Sequence, residues 1–398
     1  MTDAPGMVIS NKVSPAKVRL IFANDEKRSV RSECIGRKIK PFISFGESAS
    51  IIVLLLITMQ ITVIVYLAAK NRNQRVEVND ATRELRLLDS FMEFMHKYDK
   101  VYVDSAQFVK RFRIYVNNMA NIDALNERNY GRSIIYGENQ FADWSEDEFR
   151  QILLPRGFYK NFHKRAIFID QPDEIMMPRK EIIPEHFDWR PYNVVTPVKA
   201  QLNCGSCWAF ATTGTVESAY AIGTGELKSL SEQQLLDCNV ENNACDGGDI
   251  DKALRYVYEE GLMTEYDYPY VAHRQETCYL RGETTRIKAA VFLHQDEASI
   301  IDWLIHNGPV NVGVNVTGDM KAYKGGVYTP NKWECENKII GTHAMNIVGY
   351  GTWNKTNEKY WIVKNSWGQS YGVENGYVYF ARGINSCGIE DEPVGVIA

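Results

Sequence analysis

The sequence lacks a strong net charge and any long basic block. Its 398 residues include 45 Lys and Arg against 50 Asp and Glu, which gives a formal charge of only −5. Nucleic acid is therefore not an expected partner. Hydrophobic residues make up 45% of the chain and charged residues 24%, which is typical of a folded globular protein. The chain is longer than one ordinary domain.

Cysteine is absent from the long stretch between Cys34 and Cys204. The other cysteines all follow residue 200: Cys204, Cys207, Cys238, Cys245, Cys278, Cys335 and Cys387. Because these seven form an odd number, an oxidised domain would leave at least one thiol over. A leftover cysteine in a disulfide-rich domain is a candidate reactive thiol.

Charged residues are absent between Glu47 and Lys70. A helix over residues 48–69 would be about 33 Å long, enough to cross a bilayer core of roughly 30 Å. A buried core helix would normally show a polar stripe, and this run has none. A cleaved signal peptide is the other alternative, since "LAA" at 67–69 resembles a cleavage site, but the apolar run is too long for one. We therefore predict a transmembrane signal anchor.

Basic residues are equally frequent on both sides of this span, so the positive-inside rule gives no orientation. Several disulfides would require an oxidising lumen. The triplets "NVT" at Asn315 and "NKT" at Asn354 are predicted glycosylation sites and favour the same side. We predict a single-pass type II protein with a cytosolic segment at 1–47, a stalk at 70–84 and a luminal remainder.

Two segments after the stalk show helical spacing of apolar residues, and the second begins near Ser105, a candidate N-cap. A small helical domain is the simplest interpretation. The polar positions of the second segment, however, resemble the ERFNIN signature of papain-family propeptides, with Gln for Glu and Tyr for Phe. The matching residues are Gln107, Arg111, Tyr115, Asn118, Ile122 and Asn126. The family's second propeptide motif is matched letter for letter by Gly137, Asn139, Phe141 and Asp143.

The resemblance implies that residues 85–180 form an inhibitory propeptide that folds on the enzyme and runs backwards through its cleft. The following "DQPDEIMMPRKEIIPEHFDWR" is Pro-rich and charged like a linker, and its end resembles the start of a mature papain-like enzyme. We predict processing between Ile175 and Ile183, and a catalytic domain over 181–398.

The stretch "QLNCGSCWAF" contains a C-x-x-C pair, Cys204 and Cys207. Such a pair is a redox dithiol, half of a zinc site, or two cysteines with separate roles. A redox pair should follow a strand in a βαβ unit, and a zinc site needs ligands closer than Cys238 and Cys245. No metal or cofactor is predicted. "CGSCW" matches the signature of papain-type enzymes.

This resemblance covers residues 85–398 and implies that Cys207 is the nucleophile of a cysteine endopeptidase. The sequence predicts a helix after Cys207, whose N-terminal N–H groups and dipole would favour a thiolate. His343 matches the catalytic histidine, and Asn365 matches the residue that orients its ring. Gln201 would donate its side-chain N–H, with the backbone N–H of Cys207, to the oxyanion.

By the same resemblance, the disulfides pair Cys204 with Cys245, Cys238 with Cys278 and Cys335 with Cys387, which leaves Cys207 unpaired. The implied substrate-binding residues are Gly247, Gly248, Ile250, Gly313, Thr342, Trp367 and Glu392. Trp367 would also cover the Asn365–His343 hydrogen bond. Glu392 is either an acidic floor that admits Arg or Lys as the second residue before the scissile bond, or a surface carboxylate.

Helical patterns dominate 207–270, and strand-like alternation dominates after about residue 285. The predicted class is therefore α+β. It is a papain-like two-domain fold with a helical left domain and a β-rich right domain, preceded by the helical propeptide and one transmembrane helix.

The predicted function is that of a cysteine endopeptidase that is synthesised as a membrane-anchored zymogen. After processing releases it from the anchor, it would act on proteins and peptides in an endolysosomal or vacuolar lumen. Its own propeptide is the expected inhibitor, and cystatin-type inhibitors are compatible partners. A catalytically silent, membrane-tethered binding protein of the same fold is an alternative, against which the intact catalytic residues argue. A thiol–disulfide oxidoreductase using "CGSC" is another, and it requires a free Cys204.

Overall fold

A computed structural model of the chain describes residues 58–62, 83–159 and 183–398. The chain divides into two compact units, Met1–Val78 and Asn79–Ala398, and the elements below belong to the second. Within the described ranges, no helix combines the length and apolar character needed to cross a bilayer.

Several sequence predictions fall on residues outside these ranges. The predicted membrane span at 48–69 is described only at 58–62, which is a short helical stretch. The cytosolic segment, most of the stalk and all but the last residue of the predicted processing region at 175–183 also lie outside the described residues.

The prosegment is built on two helices, α1 (83–97) and α2 (Ser105–Arg128), which contact each other through aromatic rings such as Phe91 and Phe108. It continues through a short strand, β1 (Ile135–Tyr136), and a short helix, α3 (Glu146–Arg150). The N-cap of α2 is Asp104, whose side chain accepts a hydrogen bond from the backbone N–H of Gln107. The prediction of Ser105 as the cap was wrong by one residue, because the carboxylate just before it takes that role.

Polar side chains of α2 bind the backbone of the irregular segment that follows it. The Asn126 amide donates to the carbonyl of Tyr136 and accepts from its N–H, both at 2.9 Å. Asn118 donates to the carbonyls of Ala142 at 2.7 Å and Trp144 at 2.9 Å. These contacts explain the polar signature, because a segment without regular structure needs partners for its backbone groups.

The catalytic part contains five helices and nine strands within 183–398. The helices are α4 (Cys207–Thr224), α5 (Glu232–Cys238), α6 (Ile250–Glu259), α7 (Glu297–His306) and α8 (Lys332–Asn337). The strands are β2 (Phe187–Asp188), β3 (Ala289–Phe292), β4 (Val310–Thr317), β5 (Tyr323–Gly325), β6 (Val327–Tyr328), β7 (Ile339–Trp353), β8 (Glu358–Lys364), β9 (Tyr377–Ala381) and β10 (Val394–Ile397).

Eight of these strands form one sheet, in the order β3-β10-β4-β7-β8-β9-β6, with β2 added to β7. Its pairs are antiparallel except β6 with β9. One hydrophobic core, including Trp303 and Trp361, packs on this sheet, and a second, including Trp208 and Leu254, surrounds α4. The predicted α+β architecture, with a helical half and a β-rich half, is confirmed.

The prosegment is joined to the β-rich half by a two-stranded sheet. Strand β1 pairs with β5, with Ile135 opposite Gly325 and Tyr136 opposite Tyr323. The next residue, Gly326, has a φ of +70°, and a Cβ there would lie 1.8 Å from the carbonyl oxygen of Ser133. Only glycine allows this close approach of the two backbones.

Candidate active site

Cys207 is the first residue of α4, where the helix leaves backbone N–H groups without intrahelical partners. It is buried, and it is the only cysteine among the described residues that forms no disulfide. Burial raises the pKa of this thiol, and the backbone N–H groups of Ala344 and Trp208 act in the opposite direction. The side chain packs in the same core cluster as Ala344. Ala344 follows His343 on β7, so the thiol from the helical half reaches the strand that carries the predicted histidine.

His343 is buried in β7, and its Nε2 lies 2.7 Å from Oδ1 of Asn365. The same Oδ1 accepts the backbone N–H of Ser366 at 2.8 Å, which identifies it as the amide oxygen. Because that oxygen can only accept, Nε2 carries the proton and Nδ1 holds the lone pair of the neutral ring. Within the described residues, Nδ1 is buried without a hydrogen-bond partner.

Burial keeps both predicted reactive groups neutral in this closed state. It raises the pKa of Cys207 to about 12. It lowers the pKa of His343 to about 4, although the hydrogen bond to Asn365 acts in the opposite direction. Desolvation disfavours the charged form of each group, so a thiol and a neutral imidazole face this interior at neutral pH.

The indole ring of Trp367 stacks on the imidazole ring of His343. Its ring centroid lies 4.5 Å from that of His343 with an interplanar angle of 28°. Two prosegment aromatics, Phe141 and Phe149, contact Trp367 edge-on at 5.8 and 5.1 Å. The His343–Asn365 pair is thus covered by an indole and, beyond it, by the prosegment.

The side-chain amide of Gln201 is fully buried, with both ends hydrogen-bonded. Its Nε2 donates to the carbonyl of Cys204 and to that of Ile152 in the prosegment, each at 2.8 Å. Its Oε1 accepts from the hydroxyl of Ser366 at 2.7 Å. A backbone carbonyl of the prosegment therefore already occupies the predicted oxyanion donor.

The prosegment continues to Leu154, where it forms an isolated β-bridge with Thr342 of β7. Leu154 and Thr342 exchange two backbone hydrogen bonds, at 2.8 and 2.9 Å, across this antiparallel bridge. A Cβ placed on Gly247 would lie 3.1 Å from Leu154, and one placed on Gly313 would lie 2.4 Å from Tyr159. Three of the predicted substrate-binding positions therefore contact the prosegment.

The remaining predicted pocket residues are buried. Ile250 is 1% exposed and Glu392 is 5% exposed, so Glu392 is not a surface carboxylate in this state. A Cβ on Gly248 would lie 2.5 Å from the ring of Trp208, so its backbone packs directly on the residue after the predicted nucleophile.

Polar contacts tie the two halves together behind the site. Asn346 on β7 donates to the carbonyl of Ala211 at 2.8 Å and approaches the hydroxyl of Thr215 at 2.6 Å, both on α4. Lys364, which precedes Asn365, is buried and donates to Thr196 at 2.6 Å. The ammonium of Lys364 also lies 3.8 Å from the carboxylate of Glu217 on α4. The contacts of Asn346 and Lys364 thus hold α4 against β7, which carries His343, and against the end of β8, which Asn365 follows.

The disulfides are Cys204–Cys245, Cys238–Cys278 and Cys335–Cys387, the pairs implied by the resemblance. Cys204 is therefore not free to act with Cys207 as a redox dithiol. Of the two predicted glycosylation sites, Asn354 is exposed in the turn after β7, whereas Asn315 is half-buried in β4. No group of His, Cys, Asp and Glu side chains suited to a metal occurs in the described part of the chain.

Residues 183–397 match the family described as "Papain family cysteine protease". The chain belongs to this family. Residues 91–149 match a second family, described as "Cathepsin propeptide inhibitor domain (I29)". The protein is thus a papain-family cysteine protease with a propeptide inhibitor domain, and its form with the prosegment is a zymogen.

Curated papain-family relatives include cathepsin F of Drosophila melanogaster, which is 37% identical over 76% of this chain. The chain spans about half of that protein, 49% of its length. The viral cathepsin of Mamestra configurata nucleopolyhedrovirus is 39% identical over 76% of this chain and 86% of its own. Fruit bromelain of Ananas comosus is 35% identical over 82% of this chain and 90% of its own.

Solved structures of papain-family precursors also match. Digestive procathepsin L 3 of Tenebrio molitor larval midgut superposes with a TM-score of 0.68 at 31% identity, covering 78% of this chain and 99% of that one. The recombinant stem bromelain precursor superposes with a TM-score of 0.67 at 33% identity, with the same coverage of both chains.

Sequence reasoning missed the prosegment residues that occupy this protease's cleft. It predicted that the prosegment crosses the cleft, but no motif marks Ile152, Leu154 or Tyr159, since their contacts use backbone groups or plain apolar packing. It also missed Ser366, whose only signal is its position directly after Asn365.

Proposed function

We propose that the protein is a cysteine endopeptidase in which Cys207 is the nucleophile and His343 is the general base and acid. Asn365 orients the imidazole, and Gln201 and the backbone N–H of Cys207 bind the oxyanion. The observation that carries this proposal is the 2.7 Å His343–Asn365 hydrogen bond beside the unpaired thiol that starts α4.

In the acylation step, Nδ1 of His343 takes the proton of the Cys207 thiol, and the sulfur attacks the substrate carbonyl carbon. The carbonyl oxygen becomes an oxyanion that accepts the two N–H groups. The protonated Nδ1 then gives its proton to the leaving amine as the C–N bond breaks, which leaves a thioester on Cys207. In the second half, Nδ1 takes a proton from water, and the resulting hydroxide attacks the thioester carbon. The C–S bond then breaks, the carboxylic acid product leaves, and the sulfur departs as a thiolate that is paired with, or reprotonated by, the imidazolium at Nδ1.

The prosegment, residues 85–180, inhibits by occupying the same groups. The Ile152 carbonyl accepts the hydrogen bond of the Gln201 side-chain N–H, and Leu154 hydrogen-bonds to the backbone N–H and carbonyl of Thr342. Burial under the prosegment also favours the neutral thiol and imidazole over the reactive ion pair. Removal of the prosegment would admit water and let Cys207 and His343 ionise together.

Substrate would replace the prosegment along the same edge. Gly247 and Gly248 would hydrogen-bond an extended peptide, as strands add to an exposed sheet edge. The pocket for the second residue before the scissile bond would be lined by Ile250, Gly313, Thr342 and Glu392. Trp367 would lie near the part of the substrate that follows the scissile bond. Because Gly313 has no side chain, the ring of Tyr159 occupies the space beside it in the zymogen. This supports a pocket that accepts a sizeable substrate side chain.

The proposal also includes the setting predicted from the sequence. A signal anchor at 48–69 would hold the zymogen in a membrane with the chain after residue 69 on the luminal side, and processing would release the enzyme into an endolysosomal or vacuolar lumen. The charge-free apolar run and the three disulfides support this orientation. Glycosylation at Asn315 and Asn354 and inhibition by cystatin-type proteins belong to the same proposal.

The test is hydrolysis of a fluorogenic peptide by the acid-activated full chain, compared with Cys207→Ala and Cys207→Ser. We expect both variants to lose activity by several orders of magnitude, because a hydroxyl lacks the nucleophilicity of a thiolate. Since neither variant can process itself, each is activated by a trace of wild-type enzyme. Undiminished hydrolysis by Cys207→Ala, after correction for that trace, would disprove the proposed nucleophile.

A further inference from the structure

Tyr270 has its hydroxyl between the two backbone segments that form the proposed oxyanion site. The hydroxyl donates to the backbone carbonyl of Gln201 at 2.9 Å. It also lies 2.7 Å from the hydroxyl of Ser206, the residue immediately before Cys207. One side chain therefore joins the segment bearing Gln201 to the segment bearing the nucleophile.

The direction of this hydrogen-bond chain follows from the number of protons. A tyrosine hydroxyl has one proton, and the carbonyl of Gln201 can only accept it. The Ser206 hydroxyl must then donate to the Tyr270 oxygen. The chain runs from Ser206 through Tyr270 to Gln201, and each hydroxyl donates once.

Ser206 is the N-cap of α4, yet its side chain makes no capping hydrogen bond. A serine at this position usually accepts a backbone N–H of the first helical turn. Here its hydroxyl is directed to Tyr270 instead, and its backbone carbonyl accepts the N–H of Ala209 at 2.8 Å. The N–H of Cys207, the first residue of the helix, is left for the substrate oxygen.

The ring of Tyr270 is itself held in place. It packs edge-on against Phe210 of α4, with centroids 4.9 Å apart, and its backbone N–H donates to Oε1 of Glu265 at 2.9 Å. Burial raises the pKa of Tyr270 above its usual range, so the hydroxyl stays protonated wherever the enzyme works.

We propose that Tyr270 is a positioning residue, which sets the distance between the Gln201 side chain and the backbone N–H of Cys207 through its bonds to Gln201 and Ser206. In this role it acts through these two residues and not on the substrate itself. Misplacing a preorganised donor weakens transition-state stabilisation more than ground-state binding, so the effect falls on kcat. This inference rests on the proposed function, because it assumes that these two donors bind the oxyanion.

The test compares Tyr270→Phe with wild type in the acid-activated full chain, with active sites titrated by an epoxysuccinyl inhibitor. We expect kcat to fall about tenfold with KM within about twofold, because the variant loses both neutral hydrogen bonds of the hydroxyl, each of which contributes about threefold. Affinity for a peptide aldehyde, whose hemithioacetal oxygen occupies the oxyanion site, should fall by about the same factor. The rate of thiol alkylation by iodoacetamide, which forms no oxyanion, should be unchanged.

Tyr268→Phe is the matched control. Tyr268 is a buried tyrosine two residues away, and its hydroxyl donates to Asp237 at 2.9 Å, away from Gln201 and Ser206. It should lower thermal stability without changing kcat or aldehyde affinity. Ser206→Ala removes one of the two bonds and should give a smaller loss in the same two measurements.

A Tyr270→Phe enzyme with wild-type kcat and aldehyde affinity would overturn the inference, as would an equal loss in Tyr268→Phe. An equal fall in the alkylation rate would also overturn it, because the fault would then lie in the thiolate. If Tyr270→Phe does not mature, Ser206→Ala decides by the same criteria. If Cys207→Ala retains activity, the proposed function fails instead, whatever Tyr270→Phe shows.

Discussion

The side-chain amide nitrogen of Gln201 lies 2.8 Å from the backbone carbonyl oxygen of Ile152. A carbonyl of the zymogen's own prosegment thus accepts the hydrogen bond that we propose for the substrate oxyanion. The next pairing along the chain, Leu154 with Thr342, keeps the prosegment on the cleft edge. Inhibition and catalysis therefore share one donor.

Replacing that donor should impair turnover. Gln201→Ala should lower kcat about 100-fold with a much smaller change in KM, the usual cost of losing one oxyanion donor. The measurement is steady-state hydrolysis by titrated, activated enzyme. Gln140→Ala is the control, since Gln140 donates to the carbonyl of Trp367 but lies in the prosegment that activation removes. An intact kcat in Gln201→Ala would contradict the assignment.

Asn365 should act through the histidine ring. Asn365→Ala should lower kcat about tenfold or more, because the ring loses the neutral hydrogen bond that fixes its tautomer and orientation. Asn346→Ala removes another buried amide, three residues from His343 on the same strand, and should lower stability while leaving kcat nearly unchanged. Equal kinetic losses in both variants would indicate general damage to β7.

The pH dependence of Cys207 reactivity should change when the prosegment leaves. In the zymogen its pKa is raised to about 12 by burial, so the thiolate fraction is far below that of a free cysteine at any lower pH. The pKa of His343 is lowered to about 4, so the ring is neutral above that pH and offers no imidazolium partner.

Pulse labelling with iodoacetamide between about pH 5 and pH 9 tests this shift. The intact zymogen should react at least about 100-fold more slowly than a free thiol and accelerate only towards alkaline pH. The processed enzyme should react rapidly already at the acid end, because solvent entry lets the ion pair form. Identical pH profiles for the two forms would refute the electrostatic part of the inhibition.

Glu392 should set the preference for the second residue before the scissile bond. Glu392→Ala should lower cleavage after Arg relative to Leu about tenfold or more, since a hydrogen bond to a charged group contributes about 1.5–3 kcal/mol. Glu392→Gln keeps the shape and should show much of the same loss. An unchanged Arg-to-Leu ratio of kcat/KM would discard this role.

The proposed catalytic residues could be suggested from the sequence because Cys207, His343 and Asn365 stand in short motifs. The structure packs the thiol against Ala344 of β7 and hydrogen-bonds the histidine to the asparagine, and the catalytic roles stay a prediction. The three disulfides could be predicted only through the resemblance, because six cysteines allow 15 pairings. Spacing alone would not have chosen among them.

Other features could not be read from the sequence, for physical reasons. The contacts of Ile152 and Leu154 run through backbone atoms, which every residue has, so no side-chain pattern marks them. Tyr270 lies 69 positions after Gln201 in the sequence, and only folding brings its loop back to Gln201 and to the start of α4. The cap of α2 was misplaced because Asp104 and Ser105 are both good N-cap residues.

The central claim is tested most directly by finding which sulfur reacts. The activated full chain is treated with an epoxysuccinyl inhibitor at a pH of about 5.5, and its non-reduced fragments are sequenced by mass spectrometry. The account predicts one adduct, on Cys207, with Cys204 still bonded to Cys245. An adduct on Cys204, or active enzyme that carries no adduct on Cys207, would contradict it.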